Sequence, residues 1–152
     1  MSNSFNCTLS KNDFPVDINI DHIITRTNEH INKYNNFDMS IVFVSNEEMK
    51  ELNTQYSGYA KPTDVLSFEA GEIDPETGRL YLGDIVISFP FVEAQAKKLE
   101  NKLVDEITLM IVHGFLHLNG FDHLTPEEKE TMWLLQNRIL ETLNIQLNQI
   151  PE

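Results

Sequence analysis

Cysteine is nearly absent from this chain. A single cysteine, Cys7, stands among 152 residues, so no internal disulfide can form. That usage makes a reducing, cytoplasmic setting the default. Long apolar runs are missing too, and nothing approaches the ~20 residues of a membrane-spanning helix. Met1–Ser10 lacks the basic start and apolar block of a secretory signal. Positive charge is scarce: 11 Lys and Arg face 24 Asp and Glu, a net charge of −13. Such a balance opposes non-specific adhesion to nucleic acid or anionic membrane, while leaving room for a local basic groove. The one small basic cluster, Lys97, Lys98 and Lys102, is diluted by Glu93, Glu100 and Asp105 and reads as a solvated helix face. Internal repeats, low-complexity tracts and Pro/Gly/Ser linkers are also lacking. The expectation is one domain over residues 1–152, the size at which a single core is normal.

Periodicity gives the outline. Phe5, Cys7 and Leu9 alternate with polar residues, as in a strand. From Pro15 to about Tyr34 the residues Val16, Ile20, Ile23, Ile24, Thr27 and Ile31 fit a helical stripe. Met39 to Val44 reads as a strand, and Ser45 with Glu48 makes a capping box that opens a helix to about Tyr56. After a loop over residues 57–64, Val65–Phe68 and Leu80–Ser88 read as strands of one hairpin, joined by turn signals between Gly71 and Gly78. Helical pattern then runs from about Phe91 to Asn119, with a break near Glu100-Asn101. Thr125-Pro126-Glu127-Glu128 starts a last helix, whose buried stripe is Met132, Leu135, Ile139 and Leu143. Strands in the first two thirds and helices toward both ends predict an α+β domain with a small mixed sheet.

Three of the five histidines lie within eleven residues, at His113, His117 and His123. On a helix the first two sit about 40° apart around the axis and one turn along it, so both rings leave the same face. Gly120 suits a left-handed helix end that turns the chain back and brings His123 toward the pair. Three converging imidazoles without a cation would strand polar nitrogens among Ile111, Val112, Phe115, Leu116 and Leu118. The expectation is therefore a metal site with His113, His117 and His123 as ligands. Zinc is the first choice on ligand type, with nickel, copper and cobalt also compatible. Structural zinc sites usually complete four protein ligands, whereas three ligands leave a position for water, the arrangement of a catalytic site. The spacing His-x-x-x-His-x-x-Gly-x-x-His is zincin-like and matches the metzincin proteases, except that Gly114 stands where those enzymes carry a general-base Glu. A peptidase is demoted accordingly.

The segment His113-Gly-Phe-Leu-His117-Leu-Asn-Gly-Phe-Asp-His123 resembles the signature of the bacterial YbeY family. Pro62-Thr-Asp-Val-Leu-Ser-Phe68, Leu82-Gly-Asp-Ile-Val-Ile-Ser88 and Leu52-Asn53-x-x-Tyr56 resemble further segments of that family, in the family's order. The resemblance implies a zinc-dependent endoribonuclease, specific for single strands. It implies roles in 16S rRNA 3′-end maturation and ribosome quality control, with ribosomal RNA and the small ribosomal subunit as partners. It also implies that His113, His117 and His123 hold the metal. One departure stands out: the family usually has Arg after the tyrosine of its Leu-Asn-x-x-Tyr segment, and here that residue is Ser57, which cannot make the charge-assisted contact of Arg to a phosphate. Tyr59 stands where a basic residue is common, and Lys61 is the nearest remaining cation.

The expected chemistry is attack on phosphorus by water or a neighbouring ribose 2′-hydroxyl. The residues expected to carry it are His113, His117, Asp84 and Lys61. Asp84 interrupts an apolar strand, and with Asp64 and Asp122 it is a candidate general base or partner to a histidine N–H. Two other classes compete: a metallohydrolase acting on peptides or small molecules, and a ribosome-assembly protein whose metal is mainly structural.

Overall fold

The computed structural model describes residues 4–9, 17–58 and 63–150. Among these residues four strands form one mixed sheet: β1 (Ser4–Leu9), β2 (Asn36–Val44), β3 (Val65–Ile73) and β4 (Leu80–Ser88), in the order β1-β2-β4-β3. β1, β2 and β4 run parallel, and β3 returns antiparallel on the β4 edge. Among the described residues five helices surround the sheet: α1 (Ile20–Ile31), α2 (Asn46–Ser57), α3 (Phe89–Leu99), α4 (Leu103–Leu118) and α5 (Pro126–Thr142).

The pleat sorts the side chains. Phe37, Met39 and Ile41 of β2 and Ile85 and Ile87 of β4 are fully buried, and alternate residues turn to the other face. The buried row meets α4: Phe37 packs on Phe115 with ring centroids 5.7 Å apart. α1 and α5 close over the same core with Ile23, Ile24, Met132 and Ile139. The opposite face carries α2, whose Tyr56 ring lies 4.7 Å from that of Phe68. α4 is thus buried along most of its length, from Ile107 to Leu118.

Several boundaries follow local chemistry. Asn19 caps α1 through its side chain, which accepts from His22 N at 3.1 Å, so the helix starts at Ile20 and not near Pro15. Pro15 and Val16 themselves lie outside the described residues. Ser45 and Glu48 form the expected capping box of α2. The break after α3 falls at Glu100, which takes a left-handed conformation with φ of 58°. β2 begins three residues earlier than its β-branched run, because Phe37 is buried and Asp38 is held by Arg79 at 2.9 Å. β3 runs on to Ile73 as an exposed arm, so Gly71 falls inside the strand, while the turn signals Asp74-Pro75 and Thr77-Gly78 form the hairpin connection, closed by Gly78 N donating to the Asp74 carbonyl at 2.8 Å. Gly71 has φ of 64°, at a register shift between Glu69 and Glu72. Lys97, Lys98 and Lys102 are exposed, in keeping with a solvated face.

Candidate metal centre

α4 ends in two overlapping hydrogen bonds: Gly120 N donates to the His117 carbonyl at 3.0 Å and Phe121 N to the Leu116 carbonyl at 3.1 Å. This is the Schellman closure, and it needs a left-handed residue at its turning point. Gly120 supplies it with φ of 92°. Lys33 Nζ donates to the Asn119 carbonyl at 3.1 Å, placing a cation at the negative end of the α4 dipole. The chain then folds back through Phe121, which packs against the core, and delivers His123. Asp122 Oδ1 accepts from His123 N at 2.8 Å and so turns along its own backbone.

The result is the predicted convergence. His113, His117 and His123 each offer a ring nitrogen, and these atoms lie within 4.8 Å of one another. The Nε2 atoms of His113 and His117 are 3.1 Å apart. Two ligands of a tetrahedral zinc at ~2.05 Å would sit about 3.3 Å from each other, so this pair already has the required spacing.

Gln136 of α5 orients the deepest ring. It is 1% exposed, and its Oε1 lies 3.0 Å from His113 Nδ1. With the amide oxygen as acceptor, Nδ1 carries the proton and Nε2 keeps its lone pair directed into the cluster. Burial pushes the His113 pKa down to about 4, against the upward pull of Gln136 and of the Asp64 carboxylate. His117 is also lowered, by burial and then by His123, against Asp122, a hydrogen bond to the Phe121 backbone, and Glu69. At neutral pH these rings are therefore neutral donors, the form a metal needs. His123 is exposed, so the cluster opens to solvent on its side.

Trp133 walls the site. Its ring centroid is 5.7 Å from His113 and 5.8 Å from His123, near-perpendicular to both. Lys129 lies one turn earlier on α5, with Nζ 5.8 Å from the indole centroid.

Gly114 is where packing and chemistry meet. A Cβ there would stand 2.8 Å from Ile85 Cγ2. Its carbonyl accepts from Ser67 Oγ at 3.3 Å. The position that carries the base in metzincins is pressed against β4 and has no room for a carboxylate.

Asp84 does not join the cluster. Its neighbour Ile85 faces α4, so Asp84 points to the α2 face, level with Phe68 and Ser40. There its carboxylate accepts hydrogen bonds from Ser40 and Tyr81. The expectation of Asp84 as base or histidine partner is corrected on that ground. Asp64 lies nearer, within the field of His113, but its oxygens are engaged by Val65 N at 2.8 Å and Gln95 Nε2 at 3.3 Å. Gln95 also reaches the buried Glu106 at 3.4 Å, which ties this corner to the start of α4. Lys61, Tyr59 and the side chain of Ser57 lie outside the described residues. Three residues at the site had not been singled out from sequence: Gln136, Trp133 and Glu69. Gln136 left a trace, as a polar residue four after Met132 and three before Ile139 on a buried stripe.

An α+β domain with a mixed sheet, whose central helix carries two histidines and bends back a third, is a zincin-like metal-site fold. The sequence profile of the family described as Endoribonuclease YbeY matches residues 6–144. The chain belongs to the YbeY family. Endoribonuclease YbeY of Halalkalibacterium halodurans is 43% identical over 112 residues, covering 68% of this chain and 70% of that protein. The protein of that name from Brevibacillus brevis is 38% identical over 145 residues, covering 86% of this chain and 91% of that one. The solution structure of TM1509 from Thermotoga maritima superposes with a TM-score of 0.59 at 25% identity, covering 97% of each chain.

Proposed function

We propose that this chain is itself a zinc-dependent endoribonuclease that cuts single-stranded RNA. The observation that carries the reading is the open three-histidine cluster, with the lone pair of its deepest ring already aimed inward by Gln136. Family membership supplies the substrate class, since the relatives bear the name endoribonuclease. A zinc ion held by His113, His117 and His123 would provide Lewis acidity toward a phosphate oxygen and lower the pKa of a water toward about 7. The chain's own residues do the rest. Gln136 fixes a tautomer, α4 fixes the spacing of two rings, and the Gly120 turn sets the third. Gly114 supplies no base. Among the described residues the carboxylates whose charge is felt at the rings are Asp64, Asp122 and Glu69. Of these, Glu69 is exposed on the edge strand, and it takes the place vacated by Asp84 as the candidate proton acceptor.

The resemblance of the motifs extends the proposal to the cell. The substrate is the 3′ end of 16S rRNA, the partner is the small ribosomal subunit, and the setting is the cytoplasm. Consistent with that setting, no helix among the described residues is long and apolar enough to cross a membrane. A ribosome-assembly role with a mainly structural metal is the second reading, favoured by Ser57 in place of the family's usual Arg.

The test is direct. Zinc-loaded protein is assayed on single-stranded and duplex RNA, with EDTA and His117→Ala as controls. Cleavage of the single strand is expected, lost on chelation and in the variant, which should also fail to retain zinc. Full metal content in His117→Ala would refute the ligand assignment. Cleavage that survives EDTA would mark a contaminating nuclease.

A further inference from the structure

We propose that Trp133 and Lys129 form a nucleobase subsite beside the three histidines. The indole stacks on an unpaired base of the RNA strand, and the Lys129 ammonium meets an adjoining phosphate. This inference rests on the endoribonuclease reading for its ligand class. Three residues of α5 point at the site from graded depths, at helical spacing of four and three. Gln136 is buried against His113, Trp133 is half-buried at the rim, and Lys129 is exposed outside it. The indole touches the rings of both His113 and His123, so a base resting on it lies next to the metal position. Lys129 is a cation within reach of the same aromatic, and among the described residues it forms no ion pair.

The chemistry fits a single strand. A chain of net charge −13 repels a polyanion over most of its surface, so contact has to come from stacking and from a local cation. A stacking platform accepts any base, but only one whose face is free, which a base inside a duplex does not offer. Single-strand preference would then arise from the indole and not from the metal.

Trp133 is the only tryptophan in the chain, so its emission reports this one place. Zinc-loaded protein is titrated with a short 2′-O-methyl oligoribonucleotide and with an abasic ribose-phosphate chain of equal length. The base-bearing strand is expected to quench the emission to saturation, and the abasic chain is not. By anisotropy of a labelled strand, Trp133→Ala should bind about tenfold to hundredfold more weakly, with Trp133→Phe recovering most of the loss. Lys129→Gln should reduce the salt dependence of binding by about one charge. Zinc stoichiometry in each variant separates lost stacking from a damaged centre; if Trp133→Ala loses zinc, the Trp133→Phe variant and the wild-type quench decide. Equal quenching by the abasic chain, or a Trp133→Ala protein with zinc that binds as wild type, overturns the subsite. If the wild type cleaves RNA and either of those results is found, the subsite falls and the nuclease reading stands. If it cleaves nothing yet is quenched only by bases, the nuclease reading falls and the subsite stands.

Discussion

Replacing Gln136 by Leu keeps the size of a side chain that is 1% exposed and removes the acceptor 3.0 Å from His113 Nδ1. The stranded N–H has two choices. It can stay on Nδ1 unpaired, at a cost of about 1–3 kcal/mol for a buried donor. Or the proton can move to Nε2, which points it into the cluster and hides the lone pair a metal needs. Either way the deepest ligand is no longer preset, and zinc binding has to restore it. Loss of such an outer partner typically weakens metal affinity about 10- to 100-fold. Gln136→Glu works the opposite way: a carboxylate facing Nδ1–H makes the ring a stronger donor. Zinc should bind more tightly to it, while the metal-free protein, burying a new charge, should melt earlier than wild type. Competition against a chromophoric chelator gives the affinities, and thermal unfolding with and without zinc gives the stabilities. Wild-type zinc affinity in Gln136→Leu, in a protein where His113→Ala binds none, would refute this account of the site.

Other outcomes follow from the same geometry. His113 is held near pKa 4 against an ordinary 6.5, so the unfolded chain takes up a proton in that window that the folded one refuses. Stability of the metal-free protein should be full above about pH 6.5 and fall by about 3 kcal/mol as pH drops toward 4, with His117 adding in the same direction. Urea unfolding at both ends of that window measures it, and a flat profile would contradict the burial of these rings. Gly114→Ala drives a methyl to 2.8 Å from Ile85 Cγ2, an overpacking expected to cost about 1–3 kcal/mol in denaturant unfolding and to disturb zinc affinity as α4 shifts. Asp84→Ala removes the acceptor shared by Ser40 and Tyr81 on the far face, so a loss of about 1–3 kcal/mol is expected with zinc affinity unchanged. Loss of metal binding there would reinstate Asp84 as part of the site.

Elements held by local chemistry were readable in advance. The Ser45 capping box, Thr125 with Pro126, and the helix break at Glu100 are each decided by a few adjacent residues. The convergence of His113, His117 and His123 was readable for the same reason, since helix periodicity and one left-handed glycine determine it. What depends on distant partners was not. The outer half of β3 is exposed, and it is a strand because Glu72 and Ile73 pair with Tyr81 and Leu80. Asp84 looked anomalous inside an apolar strand, but which face it served depended on α2 covering one side and α4 the other. Gln136 reaches His113 across 23 positions, a contact that no local pattern encodes. Asn19 was within reach of sequence reasoning and was missed, because the apolar stripe continues upstream of it.

Cys7 sits in β1, away from the histidines, with its thiol pushed up to about 12 by burial and by the Asp21 carboxylate. At neutral pH it is neither nucleophile nor ligand. An ion held by His113, His117 and His123 would consequently be gripped by nitrogen alone, with no thiolate for the oxidants that strip zinc from cysteine clusters to attack. Peroxide and disulfide reagents should leave its metal content untouched, a robustness that cysteine-built zinc proteins lack.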